Sequence, residues 1–227
     1  MTEVEKQVNG AGKKAGKEAG KVAGVSVAAE RSAPSENFSE VLIMQRIQAH
    51  IEITQQLSQQ ASVCLKVAER LIEAFTTGKK ALLCGNGGSA ADAQHIAAEL
   101  VGRYEAERAA LAAIALTTDT SALTAIGNDY GFDHVFERQV LALGKKGDVL
   151  IAISTSGKSP NIMKALDAAK KLGLVTVGFS GAKDGPMAKE CDLMLRSPSE
   201  KTPIIQQLHI TAAHAICGLV EQRLAKK

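Results

Sequence analysis

The 227-residue chain contains no tryptophan, and aromatic residues make up only 3% of it. Modules that stack nucleic-acid bases depend on Phe, Tyr and Trp, so this scarcity argues against a nucleic-acid partner. A formal net charge of +3 gives no reason to expect a polyanion either. Cysteine is sparse: Cys64, Cys84, Cys191 and Cys217 are scattered with no CxxC pair. That spacing predicts free thiols in a reducing compartment. No apolar run approaches the ~20 residues of a membrane-spanning helix. The opening MTEVEKQVNGAGKK lacks the hydrophobic core of a secretion signal and carries acids that transit peptides avoid. These absences predict a cytoplasmic protein with no membrane partner.

What is present organises the chain into two parts. Residues 1–37 include GAGKKAGKEAGKVAG, a four-residue repeat of Gly, Ala and Lys from Gly10 to Gly24. Glycine at every fourth position undermines a helix, and no apolar face is available to bury. This segment reads as a disordered, low-complexity tail, solvated rather than dedicated to nucleic acid or anionic lipid. Residues 38–227 hold the apolar content of one compact domain.

The domain opens with two helical patterns, FSEVLIMQRIQAHIEITQQLSQQ and ASVCLKVAERLIEAFTTG, the second stopped by Gly78. The rhythm then changes to short apolar runs alternating with helices: KALLCG, ALAAIALT, DVLIAIS, LVTVGFSG and DLMLRSP. Buried runs of that length separated by crossover helices predict an α/β fold, a doubly wound parallel sheet of five strands. A last helix is expected from Pro203 to about Leu224.

In such sheets ligands bind where strands end and helices begin, and two turns carry suitable residues. ISTSGKSPNI places Ser154, Thr155, Ser156 and Gly157 ahead of Ser159, a helix N-cap followed by Pro160. Hydroxyls and free amides at a positive helix end suit a phosphate, and the glycine spacing is not that of a nucleotide-hydrolysing loop. CGNGGSAADAQHIAAELVGRY places Gly85, Asn86, Gly87, Gly88 and Ser89 before a helix carrying His95 and Glu99. Four residues apart, these two share a helix face and suit one divalent metal or an acid–base pair. An ordinary surface His–Glu pair has the same spacing. The last helix adds Gln206, His209 and His214. Gln206 and His214 stand about 12 Å apart along a helix axis, which makes a shared ion difficult within one straight helix and leaves His209 as a geometric rival.

Together with TAIGNDYGF and TPIIQQLHITAAH, these motifs resemble the bacterial phosphoheptose isomerases, or sedoheptulose 7-phosphate isomerases, of the sugar isomerase (SIS) domain group. The resemblance runs from about Phe38 to the C-terminus. It implies an SIS-type sheet with N-terminal oligomerisation helices, a homotetramer with sites at subunit boundaries, and one Zn2+ per subunit. The metal ligands it implies are His95, Glu99, Gln206 and His214. The substrate contacts it implies are Asn86, Gly87, Gly88, Glu99, Asn128, Asp129, Ser154, Thr155, Ser156, Ser159 and Gln206. Asp92 also fits the pattern, as a residue orienting a ligand or the helix end. The implied reaction is aldose–ketose isomerisation of a sugar phosphate through an enediolate, with Glu99 as base and His214 as acid. It would feed heptose synthesis for lipopolysaccharide core or S-layer glycan. A non-catalytic relative, the replication-initiator-associating protein, is the alternative. That branch lacks the carboxylate and the final histidine, both of which this chain has at Glu99 and His214.

Overall fold

The structure, a computed structural model, describes residues 39–183 and 185–225. The tail expected over residues 1–37 lies outside the described residues.

Each of the five apolar runs forms a strand: β1 Ala81–Gly85, β2 Ala113–Ala115, β3 Val149–Ile153, β4 Val175–Ser180 and β5 Leu193–Arg196. All pair in parallel, in the order β2-β1-β3-β4-β5. Among the described residues seven α-helices surround them: α1 Glu40–Gln56, α2 Ala61–Thr76, α3 Gly88–Val101, α4 Thr120–Tyr130, α5 Glu137–Leu143, α6 Pro160–Leu172 and α7 Thr202–Leu224. Successive strand residues point to opposite faces, and both faces are covered. Ala81, Leu83, Val149, Ile151, Ile153, Val177 and Phe179 pack with α2, α3 and α7. Leu82, Cys84, Leu150 and Ala152 pack with α5 and α6 on the other side. Burial on both sides explains why these strands read as continuous apolar runs rather than alternating ones.

Strand order reverses direction between β1 and β3, and the crevice at their carboxyl ends is the switch point where such sheets bind ligands. Polar pairs fasten β1 to β3 at both edges. At the amino edge, buried Asp148 accepts from the Lys80 backbone N–H at 3.0 Å and from its ammonium at 2.5 Å. At the carboxyl edge the Asn86 and Asn161 amides donate to each other, at 2.9 Å in both directions.

Two expectations are adjusted. The ALAAIALT run yields a strand of only three residues, because it pairs on one side alone, as the edge next to β1. And α7, at 23 residues with a mean hydropathy of 1.2 in its most apolar window, does meet the length and composition of a membrane span. Its buried residues instead lie against the sheet, α2 and α3, with His209 and Glu221 among them. All four cysteines are free. Burial pushes the Cys191 and Cys217 thiols up to about 12, so they stay protonated and pack as small hydrophobes.

Candidate active site

The turn after β1 is compact because glycines remove the side chains that would obstruct it. A Cβ on Gly85 would collide with the backbone of Ser89, where α3 folds back over the strand end. Gly87 adopts φ +56°, a left-handed value that other residues avoid. Gly88 opens α3, and its bare Cα receives the Gln206 amide from α7, whose atoms a Cβ would overlap.

The turn after β3 gathers hydroxyls. Ser154 Oγ lies 3.1 Å from Ser159 Oγ and 3.5 Å from Ser156 Oγ. Ser159 occupies the N-cap position of α6 with Pro160 behind it, yet its hydroxyl makes no cap bond and turns to Ser154 instead. The amides of Thr155, Ser156, Lys158 and Ser159 donate to no other group among the described residues. Hydroxyls and open amides at the positive end of a helix form an anion site. Thr155, Ser156 and Lys158 also line an adjoining cavity of about 320 Å³.

α3 and α7 both start at the carboxyl edge and run side by side in the same direction, so contacts between them step in register. Gly88 meets Gln206, and two turns further on His95 meets His214. His95 Nε2 lies 3.1 Å from Glu99 Oε1 and 3.1 Å from His214 Nε2. The three potential ligand atoms fall within 4.8 Å of one another. Two imidazoles and a carboxylate are a donor set of catalytic metal centres, and neighbouring ligand atoms of a tetrahedral ion lie about 3.3 Å apart. The cluster therefore fits a single divalent cation. The Tyr104 ring packs on the other side of His214, centroid to centroid 5.6 Å. Asp92, one turn before His95, has a buried Oδ2 with no hydrogen-bond partner. Burial raises its pKa, and nearby His95 pulls it partly back.

The structure thus joins His95, Glu99 and His214, sets Gln206 on the glycine turn, and clusters Ser154, Ser156 and Ser159. It removes His209 from the competition: that ring is buried, Nε2 3.1 Å from the Ser180 carbonyl oxygen. Asn128 and Asp129 stand exposed at the end of α4, hydrogen-bonded to each other at 2.8 Å and to neither turn. Four residues that the motifs did not single out also take part: Asn161, which ties the two turns together, Tyr104, and the buried pair Arg108–Glu221 behind it. Asn161 stands within ISTSGKSPNI, directly after Pro160. The pair had no local signal, since its members come from separate elements.

The sequence profile of the SIS domain family matches residues 47–181. A phosphoheptose isomerase of Bradyrhizobium sp. (strain BTAi1) is 62% identical over 159 residues, 70% of this chain and 80% of that protein. One from Roseiflexus sp. (strain RS-1) is 52% identical over 194 residues, 85% of this chain and 98% of that protein. Among solved structures, a phosphoheptose isomerase from Neisseria gonorrhoeae superposes with a TM-score of 0.76 at 43% identity, covering 81% of this chain and 98% of that one. The two turns and the α3–α7 cluster are therefore set on a fold whose relatives share both sequence and shape, and the chain belongs to the SIS domain family, among the phosphoheptose isomerases.

Proposed function

We propose that the turn after β3 anchors the phosphate of a seven-carbon sugar while its reacting end lies at His95, Glu99 and His214. The protein is an aldose–ketose isomerase, converting D-sedoheptulose 7-phosphate to D-glycero-D-manno-heptose 7-phosphate. The observation that carries the reading is the convergence of three potential ligand atoms from α3 and α7. We assign the product to lipopolysaccharide-core or S-layer heptose synthesis and the protein to the cytoplasm, in keeping with its four free cysteines.

His95, Glu99 and His214 would hold one zinc ion per subunit, with Gln206 as the fourth ligand the resemblance implies. When bound, zinc supplies Lewis-acid polarisation of the sugar carbonyl. Isomerisation moves a proton between adjacent carbons through an enediolate, which requires a base, an acid and positive charge beside the oxyanion. Glu99 is suited to the base because its two oxygens are differently engaged. Oε1 faces His95 at 3.1 Å, while Oε2 has no hydrogen-bond partner among the described residues and is free to take the carbon-bound proton. His214 acts as its acid partner at the oxygen. Ser154, Thr155, Ser156 and Ser159 bind the phosphate. Asn86, Gly87, Gly88 and the Gln206 amide position the sugar hydroxyls.

The single chain leaves the cluster open, with the His95 side chain 46% exposed. It also leaves α1 without a buried residue, while Val41, Ile43, Met44, Ile47 and Ile51 are 49% to 68% exposed. Both features favour a homotetramer that covers α1 and closes the site at a subunit boundary, across which Asn128 and Asp129 reach substrate. No observation favours the non-catalytic alternative.

The test is conversion of sedoheptulose 7-phosphate by the zinc-supplemented protein, followed by NMR, beside Glu99→Gln. Losing a general base should cut turnover by about 100-fold or more with substrate binding retained. An inert wild type, or normal turnover in the variant, rejects the assignment.

A further inference from the structure

Behind the cluster lies a second constellation that the proposed chemistry does not use. The Glu221 carboxylate, on the same face of α7 as His214 and two turns later, is 4% exposed, and the Arg108 side chain is 2% exposed. Glu221 accepts three backbone amides of the segment after α3: Tyr104 N–H at 2.8 Å, Glu105 at 2.7 Å and Ala106 at 2.6 Å. Arg108 Nε stands 3.5 Å from the same carboxylate. The rest of the guanidinium turns to the end of α3, donating to the carbonyls of Glu99 at 2.6 Å, Leu100 at 2.9 Å and Gly102 at 3.2 Å. Burial pushes the Glu221 carboxyl up, and the three amides with Arg108 outweigh that and hold it below the usual range.

We infer that Arg108 and Glu221 form a positioning pair that sets the spacing of α3 and α7, and with it the meeting of Glu99, His95 and His214. This rests on the proposed function, because the cluster it serves is the one assigned there. Arg108 grips the peptide carbonyl of Glu99 itself. Glu221 grips the amide of Tyr104, whose ring stands against His214. One ion pair thus bolts both helices to the segment between them. A buried ion pair is a weak way to stabilise a fold, since desolvation offsets most of the attraction and apolar packing serves as well. What it adds is directional hydrogen bonding, here spent on the backbone of the base and of the residue packed on the acid. Catalytic geometry is sensitive at that scale: a displacement of about 1 Å can cost on the order of 100-fold in rate.

The experiment compares full-length wild type, Glu221→Gln, Arg108→Lys and Arg108→Ala in turnover, KM, thermal unfolding and the visible absorption bands of the Co(II)-loaded protein. Glu221→Gln turns an amide NH2 toward donors; Arg108→Lys loses the fork that spans several carbonyls. The expected result is a fall in kcat of about tenfold or more with KM within about twofold, and altered cobalt bands in folded protein. Folded variants with wild-type kcat and wild-type bands overturn the inference, as do variants that all fail to fold, since the pair would then serve the fold alone. A wild type that turns over without acquiring cobalt bands rejects the metal assignment and leaves the positioning pair to be judged on kcat. A wild type that binds cobalt but does not turn over rejects the proposed reaction, and the bands then decide.

Discussion

The Nε2 atoms of His95 and His214 lie 3.1 Å apart although 119 positions separate the two residues in the chain. Two imidazole nitrogens meet this closely by sharing one proton or by facing one cation. With the Glu99 carboxylate also 3.1 Å from His95, one cation would balance the local charge and satisfy all three groups at once.

That relationship predicts the effect of His214→Ala. Removing one of the proposed donors should lower zinc affinity about 100-fold or more and abolish turnover, while unfolding changes little because the side chain is partly exposed. Competition against a chromophoric chelator measures the first effect. Unchanged zinc retention would place the ion elsewhere.

Gly85 and Gly88 separate fold from function within one turn. At Gly85 an added methyl meets the backbone of Ser89, which cannot move without displacing α3 from the strand end. Gly85→Ala should therefore yield little folded protein. At Gly88 the obstacle is the flexible amide of Gln206. Gly88→Ala should fold, keep its melting temperature within a few degrees, and lose turnover because Gln206 is expelled from the site. Equal melting temperatures for the two variants would contradict the distinction.

Much of this architecture is readable from the chain because its signals are local. DVLIAIS becomes β3 because five consecutive apolar residues can be buried only between two helical layers, and Gly78 ends the second helix in a left-handed turn, φ +70°. His95 and Glu99 share a face because a helix turn dictates it. The remainder depends on tertiary placement. His209 and His214 look alike in sequence, and only the packing of α7 sends one beneath the sheet and the other to α3. Arg108 and Glu221 are 113 positions apart and carry no periodic signature, so nothing short of the fold pairs them. The role of Gln206 is only half readable: its place on Gly88 follows from the register of α3 and α7, which strand order and helix packing decide.

The apolar face of α1 makes a prediction about assembly. Ile43, Ile47 and Ile51 follow one another at four-residue spacing, and they line a cavity of about 680 Å³ with Gln207 and Thr211 of α7. Contiguous exposed apolar surface of this kind marks an interface. Ile47→Glu should shift the proposed homotetramer to smaller species in light scattering, and the specific activity should fall with the assembly because the cluster opens to water. A dissociated variant with full activity would show that each chain carries a complete site.

His209 gives stability a pH dependence with a definite sign. Burial lowers its pKa to about 4, although the hydrogen bond to the Ser180 carbonyl favours the protonated ring. In the unfolded chain the ring titrates near its ordinary value of ~6.5. Between these two values the unfolded state binds the extra proton, so the contribution is complete above about pH 6.5 and lost as pH falls toward 4. A shift of this size corresponds to roughly 3 kcal/mol. Glutamine keeps a donor for the Ser180 carbonyl but cannot titrate. Denaturant unfolding from about pH 7.5 to about pH 4 should therefore show wild type losing more stability than His209→Gln, the gap opening below pH ~6.5. Parallel curves would mean that the imidazole takes up its proton at the same pH folded as unfolded, in conflict with its burial beneath the sheet beside Phe179.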